Sequence, residues 1–92
     1  MLSIHSTKSY RKSYKKLLRS GTFDFNELEK VIEILISEKT LPPQYKDHPL
    51  SGKLIGLRDC HINFDLVLIY QLFPSEKILM LSAIGTHSEL FH

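Results

Sequence analysis

Leu66-Val67-Leu68-Ile69-Tyr70-Gln71-Leu72-Phe73 is the stretch on which the fold turns. It is a nearly continuous apolar, β-branched and aromatic run, with Gln71 as its one polar residue, as expected of a central strand covered on both faces. Pro74-Ser75-Glu76-Lys77 follows as the tightest turn signal in the chain, and Ile78-Leu79-Met80-Leu81-Ser82-Ala83-Ile84 reads as the hairpin partner. Upstream, Lys53 to Ile62 is a mixed strand region, and Leu2-Ser3-Ile4-His5 alternates as a short edge strand does.

Between those strands the period becomes helical. Ser6 or Thr7 can cap a helix running to about Ser20, with Tyr10, Tyr14, Leu17 and Leu18 at helical spacing and Gly21 as terminator. Asp24-Phe25-Asn26-Glu27 reads as a capping box. It opens a second helix whose stripe of Phe25, Leu28, Val31, Ile32, Leu35 and Ile36 runs to about Glu38. The short Gly21–Phe23 link implies an antiparallel pair. Thr40-Leu41-Pro42-Pro43-Gln44 stops the second helix, because proline lacks the amide donor and restricts its predecessor. His87 to Phe91 can form a last helical turn. The expected fold is therefore a two-layer α+β domain over residues 1–92, in β-α-α-β-β-β-α order, with the helix pair on a small, mainly antiparallel sheet.

Composition narrows the function classes. The chain has 92 residues, 42% apolar and 24% charged, with four Gly and four Pro, which describes a packed globule and not a disordered tail. One cysteine excludes an internal disulfide and fits a reducing, cytoplasmic setting. No segment has the order of a signal peptide or the length of a membrane span. The net charge of +2 hides two opposite elements. Lys8, Arg11, Lys12, Lys15, Lys16 and Arg19 cluster on the first helix, and Asp24, Glu27, Glu29, Glu33 and Glu38 on the second. A basic helix is usually a solvated face, although it also suits a polyanionic partner.

Chemistry concentrates in the second half. His48 stands in Tyr45-Lys46-Asp47-His48-Pro49-Leu50, His61 and Asp65 in Arg58-Asp59-Cys60-His61-Ile62-Asn63-Phe64-Asp65, and His87 in Gly85-Thr86-His87-Ser88-Glu89-Leu90-Phe91. Imidazole changes charge nearest neutral pH, so several at one spot can serve as acid and base. There is no Gly-rich phosphate loop and no serine nucleophile motif to compete. Taken singly, His48 before a proline is more often a loop residue, His61 a hydrogen-bonded strand residue and Asp65 a turn former. Cys60 reads as a small buried hydrophobe. Arg58 suits a phosphate contact or, equally, an ion pair with Asp59 or a helix carboxylate.

Those three segments, together with Ser51-Gly52 after the first and Ile69-Tyr70 behind Asp65, resemble the YafQ branch of the RelE superfamily, and the resemblance covers essentially the whole chain. It implies a toxin of a type II toxin–antitoxin pair. Such a protein is a small endoribonuclease that enters the ribosomal A site and cuts messenger RNA without metal or cofactor, the RNA's own 2′-hydroxyl attacking the adjacent phosphate. Carried over by position, His48, His61, Asp65 and His87 form the catalytic group, with Phe91 packing near the scissile nucleotides. Which imidazole is acid and which is base stays open. Lys46, Lys53, Arg58, Lys12 and Lys16 are the expected RNA contacts. The implied partners are an antitoxin, the ribosome and its message, and DNA only through the antitoxin. One departure stands out. Many relatives carry an arginine two residues before the glycine of the Gly-Ser/Thr-His motif, and here that position is Ala83. A guanidinium aimed at a developing phosphorane is the kind of electrostatic contribution that often dominates catalysis. The chain is then either a naturally weakened member or one carrying a detoxifying substitution. A smaller departure is Leu66, where some relatives place Trp.

Two other readings compete. His48, His61, Asp65 and His87 are acceptable zinc ligands, but their spacings match no common short zinc motif. A non-catalytic module that only binds its partner would suit the basic first helix and the missing arginine.

Overall fold

The computed structural model describes residues 1–21, 23–63 and 65–91. Thr22 in the interhelical link, Phe64 and His92 lie outside the described residues. Two helices pack on one face of a five-stranded sheet, and the elements follow the expected order with one strand more.

Strand β1 (Ser3–Ser6) leads through Thr7 into α1 (Lys8–Ser20). The Thr7 hydroxyl accepts from the Tyr10 amide at 3.1 Å, satisfying one of the orphan donors of the first turn, and donates to the Ser82 carbonyl at 2.7 Å, which pins the helix start to the sheet. Gly21 ends the helix at φ 70°, the left-handed conformation glycine adopts at least cost. Helix α2 (Phe25–Ile36) begins at Asp24, whose side chain accepts from the Asn26 amide at 2.9 Å. The expected capping box is not formed there: Glu27 accepts from the Tyr45 hydroxyl at 2.9 Å, a tertiary contact that ties α2 to the loop before β2. The helix also ends earlier than Glu38, which takes φ 59° after the last turn.

Strand β2 is the unexpected element, only His48–Pro49, added to the edge of β3 (Arg58–His61). The mixed region from Lys53 is shorter in strand than expected, since Gly52–Leu54 forms a 3-10 turn before β3 begins. Strands β4 (Leu66–Phe73) and β5 (Ile78–Thr86) form the hairpin, and α3 (His87–Leu90) closes the chain. The sheet order is β1-β5-β4-β3-β2, with β1 parallel to β5 and the other pairs antiparallel.

The core lies between the helices and the sheet. Leu28, Val31 and Leu35 of α2 and Tyr10 of α1 meet Cys60, Leu66, Leu68, Tyr70, Leu79, Leu81 and Ile84. Each such large aliphatic side chain contributes roughly 1.5–3 kcal/mol when fully buried. Val67 and Ile69 are 1% and 6% exposed, but they face the other side of the sheet, outside this cluster. Strand β4 is thus buried on both faces from Leu66 to Tyr70, and its last residues, with Leu72 exposed, are not. A register shift after Ile69 leaves Ser82 as the extra residue of a bulge: Ile69 pairs with Ala83, and Tyr70 with Leu81. Among the described residues no helix is long and apolar enough to cross a membrane.

Candidate active site

The strand register assembles the site. His48 pairs with Asp59, Asp59 with Ile69, and Ile69 with Ala83, so these four side chains form one row across the sheet face opposite the helices. The next row on that face is His61, Val67 and Gly85. Asp65 is exposed and directly precedes β4, and His87 directly follows β5 as the first residue of α3. His48 and His61 thus stand in these two rows, with Asp65 and His87 at the paired ends of β4 and β5. Phe91 joins them through α3, its ring centroid 4.8 Å from that of His87.

The short helix α3 is held by two reciprocal bonds. The Thr86 hydroxyl accepts from the Glu89 amide at 3.2 Å, and Glu89 Oε1 accepts from the Thr86 amide at 2.8 Å. The bond to the Thr86 amide holds the Glu89 carboxyl below the usual range. Gly85 is needed beneath it, because a Cβ there would lie 3.1 Å from Glu89 Oε1. The capping box of this chain is thus at Thr86–Glu89, beside His87.

Asp59 is the residue that sequence reasoning missed. It is 4% exposed, and its Oδ1 lies 3.0 Å from His48 Nδ1 without an aligned donor. The His48 ring instead directs Nδ1 at the Lys46 carbonyl, 2.8 Å away. Both groups facing Nδ1 are acceptors, so that nitrogen carries a proton and Nε2 is left for a substrate. Burial pushes the Asp59 carboxyl above the usual range, and His48, His61 and His87 each pull it part of the way back. Three imidazoles acting on one carboxylate mark it as the common point of the site. Cys60, next along β3, faces the core, where burial pushes its thiol up to about 12, which makes it unreactive.

Arg58 is a correction. It pairs with Tyr70 on the helix side of β3, opposite to Asp59 and His61. There its Nε and Nη2 donate to Asp47 at 3.3 and 3.0 Å, and the Tyr70 hydroxyl donates to the same carboxylate. Its ion-pair partner is therefore Asp47, not Asp59 or a helix carboxylate. Alternation along the strand decides the matter, since residues 58 and 59 cannot share a face. Lys46 and Lys53 are exposed, and Lys46 lines a groove of about 540 Å³ with Gln44, Tyr45, His61 and Asn63. Lys12 and Lys16 are also exposed but belong to the helix layer. The structure brings neither onto the histidine face, although Lys16 reaches Glu89 of α3 at 3.7 Å. Ala83 leaves no cation in the central row. Among the described residues no three His, Cys, Asp or Glu side chains are grouped to hold a metal.

Comparison with known proteins places the fold and the family. The family model described as "Bacterial toxin of type II toxin-antitoxin system, YafQ" matches residues 2–92. The mRNA interferase toxin YafQ of Escherichia coli K12 is 42% identical over 77 residues, covering 83% of this chain and 82% of that protein. A metal-bound toxin from Helicobacter pylori superposes with a TM-score of 0.90 at 45% identity, over 99% of this chain and 100% of that one. A chain of the E. coli DinJ–YafQ complex superposes with a TM-score of 0.85 at 35% identity, over the full length of both. With a match across nearly all its length and the same fold, the chain belongs to the YafQ family of type II toxin–antitoxin toxins.

Proposed function

We propose that this toxin is a ribosome-dependent, metal-independent endoribonuclease that cuts messenger RNA by attack of the RNA's own 2′-hydroxyl. The observation that carries the reading is Asp59, buried on the sheet face opposite the helices, with His48 3.0 Å away and His61 two residues along the same strand. One imidazole takes the 2′-hydroxyl proton as the 2′-oxygen bonds to phosphorus. The bond from phosphorus to the 5′-oxygen breaks, and a second acid protonates the departing 5′-oxygen. The products are a 2′,3′-cyclic phosphate and a free 5′-hydroxyl, with no water consumed. Asp65, just before β4, serves as a second carboxylate for the proton transfers, and Phe91 stacks near the scissile bases. Lys46 and Lys53 contact phosphate, and the groove beside His61 carries the strand away from the cut. The surrounding cell compartment is the cytoplasm, and the cognate partner is an antitoxin, by analogy with the DinJ–YafQ complex.

The absence of a cation at Ala83 favours a second reading, in which the chain is a weakened enzyme or only a binding module for its antitoxin. One experiment separates them. The purified protein, with or without prior treatment with a chelator that is then removed, is incubated with ribosomes translating a defined message, beside the His87→Ala variant. Cleavage that survives chelation and disappears in the variant supports the enzyme. Intact message together with tight antitoxin binding supports the module. Cleavage abolished by chelation overturns the metal-free mechanism.

A further inference from the structure

The geometry points to Tyr70 and Arg58 as positioning residues that act through Asp47, from the helix side of the sheet, to fix the tautomer and aim of His48 on the other side. This rests on the reading of His48 as a proton-transfer group.

The chain of contacts is short. Tyr70 and Arg58 are cross-strand partners on β4 and β3, and both bond the Asp47 carboxylate, which belongs to neither strand. Tyr70 is fully buried, so the anchor is rigid. Burial and the bond to Asp47 both push its phenol up, which keeps it a donor. Asp47 is followed directly by His48, whose side chain points to the opposite face.

Asp47 is preceded by Lys46, which stands at φ 49°, in a region that residues with a side chain rarely occupy. Its amide is tied to the Pro43 carbonyl at 3.0 Å. Its carbonyl is the group that accepts from His48 Nδ1. The direction of that carbonyl is therefore set on one side by the turn Pro43–Tyr45 and on the other by the anchored Asp47. If Asp47 is released, Lys46 can relax to negative φ, its carbonyl turns away, and only the unaligned Asp59 Oδ1 is left to hold the proton on Nδ1. A half-buried carboxylate braced by two side chains is more than a two-residue edge strand needs to stay paired. It makes sense as a device for holding the residue beside it, as outer partners hold the imidazoles of other catalytic sites.

The test uses the whole chain and Tyr70→Phe, which removes one hydroxyl from the core without changing its shape. Long-range proton–nitrogen correlation spectra at alkaline pH distinguish the two neutral imidazole tautomers directly. The native protein should show His48 as a single Nδ1–H form, and the variant should show a mixture while still melting cooperatively. Message cleavage should fall about 10- to 100-fold in kcat with KM unchanged. Arg58→Lys, which keeps the charge but loses the fork, should give the same change in smaller degree and serves if Tyr70→Phe does not fold. A native His48 protonated on Nε2, or a tautomer unchanged in the folded variants, overturns the inference. A tautomer that shifts while the native protein cuts no message supports the positioning role and overturns the ribonuclease reading instead.

Discussion

Restoring an arginine at position 83 probes the site most sharply, because the structure defines what that side chain would meet. Ala83 lies in the row His48–Asp59–Ile69–Ala83, on the face that carries the histidines. An arginine there would extend over Ile69 toward Asp59, whose Oδ1 is buried without an aligned donor. Ala83→Arg should therefore not unfold the domain. A hydrogen bond to a charged partner contributes about 1.5–3 kcal/mol. Ordering the long side chain costs roughly 1.5–2 kcal/mol. The balance is at most about 1.5 kcal/mol in favour of the fold, or a rise in Tm of no more than ~12 °C for a domain of this size. The effect on rate should be larger, since a preorganised donor aimed at developing charge is worth about 100- to 1,000-fold. Cleavage of message by translating ribosomes, measured as kcat/KM at one ionic strength, reads the second effect, and a thermal melt reads the first. If the arginine variant is folded and cuts no faster than the native chain, position 83 is not the electrostatic contact, and that charge must come from Lys46, Lys53 or a protonated histidine. A variant that is unfolded at neutral pH would refute the placement of the side chain itself.

Asp59→Asn should raise Tm at neutral pH and flatten its pH dependence while reducing cleavage. The sign follows from burial: a carboxyl whose folded pKa is raised lends stability that is fully present below its ordinary value of 3.8 and is lost as pH rises through the folded value, so the native chain is penalised at neutrality. Melts across that pH range check it, and a variant less stable at neutral pH contradicts it. Gly85→Ala should force Glu89 Oε1 from its 3.1 Å position and loosen the Thr86–Glu89 cap. The expected cost is about 0.5–2 kcal/mol by thermal melt. The loss of cleavage should be disproportionate, because His87 and Phe91 ride on that turn. Charge reversal at Lys12 and Lys16 should weaken ribosome association and reduce its salt slope in a binding titration, whereas an unchanged slope would mark α1 as a solvated face.

The fold was legible where one physical demand dominated. The unbroken run Leu66–Phe73 called for burial on both faces, and Leu66 to Tyr70 are buried on both, whereas Leu72 is 37% exposed. Thr7 and Gly21 announced the ends of α1 because orphan amides and a left-handed residue permit few alternatives. What escaped were features decided by tertiary contact. Glu27 has the spacing of a capping residue, but Tyr45 arrives from a loop to claim it, and no local pattern encodes that arrival. Strand β2 is two residues long and exists only because β3 offers an edge.

The site divides along the same line. His48, His61, Asp65 and His87 were legible as residue types near turns, and their positions in the chain suggested one end of a sheet. Arg58 and Asp59 are the instructive pair, because adjacent charges read naturally as partners while strand alternation sends them to opposite faces. Arg58 goes to Asp47 and Tyr70, and Asp59 to three imidazoles. The signal that could have separated them was the period of two running through Arg58-Asp59-Cys60-His61, once Cys60 had been read as a buried residue of the core. Applied from Cys60, it puts Arg58 under the helices and Asp59 beside His61. A buried acid of this kind lowers the stability of the fold at neutral pH, a cost that the proposed proton transfers at the histidines on its face would explain.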